Sequence, residues 1–207
     1  MKIKICGLSR TEDIEYANEV LPDYIGFVFA KSRRQVSPEK AAELKSLLDS
    51  RISAVGVFVN ADIDFIADMV HNSIIDCVQL HGNEDREYVK LLKSRIPDSI
   101  PLIKAFSVSS SENISRAVKF PCDYMLLDNG CGGTGKAFSW ELLSGNMPEK
   151  VFLAGGITCE NISEAVRLKP FCIDVSSGAE TNGVKDRNKM LALTDCVRKN
   201  SFSKIIH

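Results

Sequence analysis

Two side chains stand where general acid–base chemistry could be done. Cys6 closes the alternating stretch Lys2-Ile3-Lys4-Ile5-Cys6 and is followed by Gly7. A thiol at a strand end, opened by a glycine, can serve as a base or a nucleophile. Asp128 closes the apolar run Met125-Leu126-Leu127, and a carboxyl group there is a candidate general acid. Most cysteines are inert core fillers, which is the expectation for Cys77, Cys172 and Cys196; position sets Cys6 apart. Side-chain alternation puts Lys4 and Cys6 on one strand face, opposite Ile3 and Ile5. Lys4 is the only cation the sequence places near Cys6. Asp174 shares the inward direction and can pair with Lys4, because an unpaired buried charge of either sign is costly. Gln79 and His81, two apart, face the same way as Cys77. His81 is expected to shape the pocket through a hydrogen bond rather than to act as the base. Arg33-Arg34 offers a planar fork suited to a carboxylate.

A second group of residues fits an anion. Gly155-Gly156-Ile157 and Ser176-Ser177-Gly178 each follow an apolar run, and a third glycine-bearing segment, Gly132-Gly133-Thr134-Gly135-Lys136, follows Asp128. Glycine lets backbone N–H groups approach a phosphate, and a helix start adds positive potential. The patterns Gly-x-x-x-x-Gly-Lys-Ser/Thr and Gly-x-Gly-x-x-Gly-Asp are both missing. A small phosphorylated metabolite is therefore expected, rather than a nucleoside triphosphate or a dinucleotide.

The elements that must hold these groups recur with a regular period. Short β-branched and aromatic runs at about 2–6, 24–29, 52–59, 76–80, 101–106, 123–128, 150–154 and 172–176 read as strands, starting roughly every 25 residues. Between them lies helical spacing. Ala41, Leu44, Leu47 and Leu48 stand behind Ser37 as N-cap and Pro38 at the first helical position. Ile162, Ala165 and Val166 stand behind Thr158, and Met190, Leu193 and Val197 line a closing helix over about 186–198. The tail from Ser201 to His207 is expected to lie beyond that helix. Eight βα units in 207 residues predict one α/β domain spanning 1–207, a compact (β/α)₈ TIM barrel; an open doubly wound sheet is the alternative. In such a barrel the strand C-termini carry function, and the polar and glycine-rich residues above gather there.

Composition narrows the partners. Lys+Arg 26 against Asp+Glu 27 gives a net charge of -1, too even to hold nucleic acid or an anionic membrane surface. No apolar run approaches the ~20 residues of a membrane helix, and the N-terminus reads as a strand rather than a signal peptide. Seven cysteines without a Cys-x-x-Cys pair argue against a disulfide framework or structural zinc and for a reducing cytoplasm.

Seven stretches together resemble the phosphoribosylanthranilate isomerase family: KICGL (4–8), GFVFAKSRRQVSP (26–38), VGVFVN (55–60), VQLHG (78–82), LLDNGCGGTGKAFSW (126–140), LAGGIT (153–158) and DVSSGAE (174–180). They follow in matching order from first strand to last. The resemblance implies an Amadori rearrangement in tryptophan biosynthesis. It implies that Asp128 protonates the furanose oxygen, that Cys6 as thiolate removes the sugar C2 proton, and that Arg34 holds the anthranilate carboxylate. Gln79, His81 and Asp174 would complete the substrate pocket. Gly133, Gly155, Gly156, Ser177 and Gly178 would hold the phosphate, with neither metal nor cofactor, in a monomer or homodimer whose partner is a small phosphosugar. One departure is the short stretch Asn129-Gly130-Cys131 after Asp128, which should fold less completely over the substrate. Three rivals fit less well. The related aminoaldose isomerase of histidine synthesis has an aspartate where Cys6 stands. A lyase would need a lysine at a strand mouth, and Lys104, expected to point inward, lies short of the end of its strand. A non-catalytic sensor would not need both Cys6 and Asp128.

Overall fold

A computed structural model describes residues 1–108, 110–128, 140–143 and 147–202. Eight parallel strands close into a barrel: β1 (Lys2–Cys6), β2 (Tyr24–Val28), β3 (Ser53–Phe58), β4 (Cys77–Leu80), β5 (Leu102–Ser107), β6 (Tyr124–Asp128), β7 (Val151–Leu153) and β8 (Cys172–Val175). Each pairs with its successor, and β8 returns to β1 with Lys2 opposite Cys172 and Lys4 opposite Asp174. Helices α1 (Thr11–Val20), α2 (Pro38–Ser46), α3 (Ile63–His71), α4 (Arg86–Lys93), α5 (Ser111–Val118), α6 (Ile162–Arg167) and α7 (Arg187–Phe202) surround it. After β8 the chain makes a 3₁₀ turn (Ser177–Ala179) and a small hairpin, β9 (Glu180–Thr181) with β10 (Val184–Lys185).

Alternation along the strands divides the core in two. Ile3, Ile5, Ile25, Phe27, Leu102, Leu127 and Ile173 face outward and pack with the helices. Val55, Cys77, Ile103, Ala105, Leu126, Phe152, Ala154 and Cys172 fill the barrel interior. Tyr24, Tyr124 and Phe171 pack against that inner group at the strand N-termini, with the Lys2 ammonium 5.0 Å from the Tyr24 ring centre. This aromatic floor closes one end, so a ligand enters from the strand C-termini.

Local signals place the helices. Ser37 caps α2 by accepting from the Lys40 N–H at 3.2 Å, with Pro38 in the first turn. Met190, Leu193 and Val197 of α7 are fully buried. Two boundaries differ from expectation. Asn161, not Thr158, immediately precedes α6; its Oδ1 accepts from the Thr158 N–H at 2.8 Å, so the intervening residues form a closed turn rather than helix. The helical hydrogen bonding of α7 continues through Ser201 to Phe202, past the point where the tail was expected to begin.

Candidate active site

Cys6 ends β1 on the inward face, 8% exposed. Its sulfur lies over Gly26 of β2, where a Cβ would come within 2.7 Å of Sγ. One layer down, the Lys4 ammonium is 3.0 Å from both carboxylate oxygens of Asp174, which is the expected pairing across the β1–β8 seam. Burial pulls the Lys4 pKa down, but the charge of Asp174 and the nearby Cys6 sulfur outweigh it and the net shift is upward.

Lys4 is not the only cation beside Cys6. Lys185, buried at the end of β10, donates to the Ser176 carbonyl at 3.0 Å and to Glu180 Oε1 at 2.7 Å, while the Ser176 hydroxyl donates to the Cys6 carbonyl. Arg34 lies across Gly7, where a Cβ would collide with Arg34 Cδ. Its Nε and Nη2 reach Glu180 at 2.6 and 3.0 Å, and Arg33 adds a contact to the same carboxylate at 2.5 Å. Burial pushes the Glu180 carboxyl up, but Arg34 and Lys185 hold it below its ordinary value. Burial lowers the Lys185 pKa, and Glu180 offsets only part of that. Three cations and two carboxylates thus alternate around the thiol. Glu180 and Lys185 were not singled out from the sequence. Their signal was Thr181-Asn182-Gly183-Val184, a two-residue hairpin turn, and Asn182 and Gly183 both adopt positive φ (51° and 83°). That hairpin brings the pair back over the β1 end.

Asp128 ends β6 on the inward face, three strands round the barrel from β1. His81 follows β4, with Nε2 3.7 Å from Asp128 Oδ2. Gln79 Nε2 is 3.0 Å from His81 Nδ1. This contact fixes the orientation of the imidazole ring. Gln79 Oε1 is buried without a hydrogen-bond partner. Gln79, His81 and Asp128 therefore form one line; alternation in the sequence puts Gln79 and His81 on a common face with Cys77, without Asp128.

Lys104 corrects an expectation. Ile103 and Ala105 belong to the inner cluster, so Lys104 points outward, toward the segment after β4, where it pairs with Glu84. It cannot serve chemistry inside the barrel.

Gly155, Gly156, Ser177 and Gly178 all lie at the C-terminal ends of β7 and β8. The two segments touch so closely that a Cβ on Gly178 would overlap the Ile157 carbonyl oxygen. Asn161 Nδ2 donates to the Gly156 carbonyl at 2.9 Å and fixes the β7 segment from the other side. This is a wall of backbone suited to a phosphate. Gly133, Cys131 and the short stretch after Asp128 lie outside the described residues. Among the described residues no cluster of His, Cys, Asp or Glu has metal-binding geometry, and no helix is long and apolar enough to cross a membrane.

The family model for N-(5'-phosphoribosyl)anthranilate isomerase matches residues 3–195. The N-(5'-phosphoribosyl)anthranilate isomerase of Endomicrobium trichonymphae is 47% identical over 202 residues, covering 95% of this chain and 98% of that protein. A crystal structure of phosphoribosylanthranilate isomerase with reduced 1-(o-carboxyphenylamino)-1-deoxyribulose 5-phosphate superimposes with a TM-score of 0.82 at 33% identity, covering 96% of this chain and 99% of that one. Monomers generated from the dimeric Thermotoga maritima enzyme give 0.80 at 33% identity, covering 96% and 98%.

Proposed function

The chain belongs to the N-(5'-phosphoribosyl)anthranilate isomerase family, and from that premise we propose how its own residues carry out the reaction. It isomerises N-(5'-phosphoribosyl)anthranilate to 1-(2-carboxyphenylamino)-1-deoxyribulose 5-phosphate, an Amadori rearrangement of tryptophan biosynthesis.

Asp128 gives its proton to the furanose ring oxygen while the C1–O bond breaks and the anilino nitrogen's lone pair forms C1=N. Cys6, as thiolate, then takes the C2 proton. The C–H electrons become a C1=C2 bond and the C=N electrons return to nitrogen, leaving an enolamine. Tautomerisation gives C1 a proton and removes one from O2, so ketone forms and thiol and carboxyl recover their starting states. The observation carrying this reading is the placement of Cys6 and Asp128 at the C-terminal ends of β1 and β6, both facing the mouth. A base and an acid on separate strands can reach C2 and the ring oxygen of one bound sugar. His81, held by Gln79, stands beside the Asp128 carboxyl group and keeps it at the mouth.

Arg34 meets the anthranilate carboxylate through its Nη1–Nη2 edge, because Glu180 takes the Nε–Nη2 edge. Asp174, held by Lys4, accepts from a sugar hydroxyl. The phosphate lies on the backbone of Gly155, Gly156, Ser177 and Gly178, and Gly133, which follows β6 in the sequence, is the further candidate for it. We further take residues 1–207 as a single catalytic unit, acting in the cytoplasm as a monomer or as a homodimer with one whole site per barrel. Among the described residues, free thiols at Cys6, Cys77, Cys122, Cys159 and Cys172 support a reducing compartment.

The test is anthranilate fluorescence with freshly generated phosphoribosylanthranilate, which should fall on adding the protein. Cys6→Ser and Asp128→Asn should each lower kcat at least ~10²-fold without loss of fold. A variant that keeps more than about a tenth of wild-type kcat removes that residue from its role.

A further inference from the structure

One buried ion pair has no part in the chemistry above. Lys104 and Glu84 are 4% and 5% exposed, with Nζ 3.1 Å from Oε2. Lys104 also donates to the carbonyls of Gly82 at 2.8 Å and Ala105 at 3.2 Å. Glu84 accepts from the N–H of Asn60 at 2.7 Å and of Gly82 at 2.9 Å. Every charge in the pair is met. Such a pair seldom adds net stability over apolar side chains of equal volume, so the geometry it imposes is its main product.

That geometry belongs to the peptide behind His81. Gly82 is gripped at both its N–H and its carbonyl, and a Cβ on it would come within 2.5 Å of Asn60 Oδ1 and 2.7 Å of Glu84 Oε1. The Asn83 N–H donates to the same Asn60 oxygen at 2.8 Å, and the His81 N–H to the Phe58 carbonyl at 2.8 Å. The imidazole extends from this fixed backbone to stand 3.7 Å from Asp128.

We propose that the Glu84–Lys104 pair is a positioning device for the isomerisation, clamping the segment after β4 so that His81 stays against Asp128. This rests on Asp128 being the acid, and its experiment reads a different quantity. A double-mutant cycle between Glu84→Gln and His81→Ala decides it. Each single substitution should lower kcat by about tenfold with KM within about twofold, the scale of a misplaced catalytic contact. Adding Glu84→Gln to His81→Ala should cost less than about twofold more, since both losses run through one ring. Glu84→Gln/Lys104→Met, which leaves no unpaired charge, takes the place of the single variant if that one does not fold. Equal losses in both backgrounds overturn the proposal, as does unchanged kcat in a folded clamp variant or in His81→Ala. Failure of the acid assignment itself shows separately, as activity retained by Asp128→Asn.

Discussion

Replacing Arg34 by alanine separates carboxylate recognition from proton transfer. The Arg34 side chain is 22% exposed, with one guanidinium edge held by Glu180 at 2.6 and 3.0 Å and the other proposed for the substrate carboxylate. A hydrogen bond to a charged group is worth about 1.5–3 kcal/mol, and each 1.4 kcal/mol is tenfold. KM should therefore rise by about 10- to 150-fold while kcat falls little. The fold should lose less, because Glu180 keeps Lys185 at 2.7 Å and Arg33 at 2.5 Å. Both contacts to Glu180 go together, and solvent screening at this partly exposed guanidinium keeps their net worth to about 1 kcal/mol, so a domain of this size would melt roughly 2–4 °C lower. Steady-state kinetics by loss of fluorescence supplies KM and kcat. A second substrate made from aniline in place of anthranilate, followed by absorbance, lacks the carboxylate. On it, wild type and Arg34→Ala should have equal kcat/KM. A KM rise below about threefold, a fall in kcat as large as that in kcat/KM, or an equal defect on the aniline substrate would refute the assignment. Arg33→Ala should be milder, since that side chain is 57% exposed and contributes a single contact to Glu180.

Gly178→Ala should raise KM at least about tenfold and lower Tm, because the new methyl meets the rigid Ile157 carbonyl rather than a yielding side chain; inorganic phosphate should lose its inhibition in parallel. Glu180→Gln tests a linkage with a defined sign. The folded carboxyl lies below its ordinary value, so its stabilisation is complete above the unfolded value of about 4.3 and is lost as pH falls through the folded one. The Tm gap between wild type and Glu180→Gln should be widest above pH ~5 and close toward pH ~3, and a gap constant with pH would discount the charge. Thiol labelling at pH ~8 should spare Cys77, whose pKa burial pushes up to about 12, and the fully buried Cys172, while exposed Cys159 reacts first. Labelling of Cys77 before unfolding would contradict the closed barrel interior.

The barrel was legible because its strands repeat at near-constant spacing and each ends in residues that a packed core would not choose. The Lys4–Asp174 pair could be read from alternation plus one closure rule, since both charges fall on inward faces of strands that must meet. Lys104 shows where that reasoning stops. A lysine within a buried strand was expected to point inward, short of the mouth, yet its partner Glu84 waits on the outside, in a connection whose path no periodicity describes. Glu180 and Lys185 escaped for a related reason. Their neighbourhood reads as an ordinary turn, and only the folded hairpin shows that it bends back over β1. Arg34 was recognised as a fork, but that one edge was already occupied depended on Glu180, 146 residues away.

The seam between β1 and β8 also governs how the chain is made. Lys4 is synthesised 170 residues before Asp174, which at about 5–20 residues per second is roughly 10–30 s on the ribosome. Throughout that interval β1 is an open sheet edge with an ammonium group on its inner face. Edge strands invite pairing with foreign chains, and an inward charge is a known deterrent. An unpaired Lys4 would deter such pairing until its counter-charge emerges, and β8 then both neutralises that charge and completes the ring. Ring closure between residues so distant in sequence makes late folding slow. A chain truncated before β8 should consequently remain bound to chaperones rather than settle as a stable seven-stranded remnant.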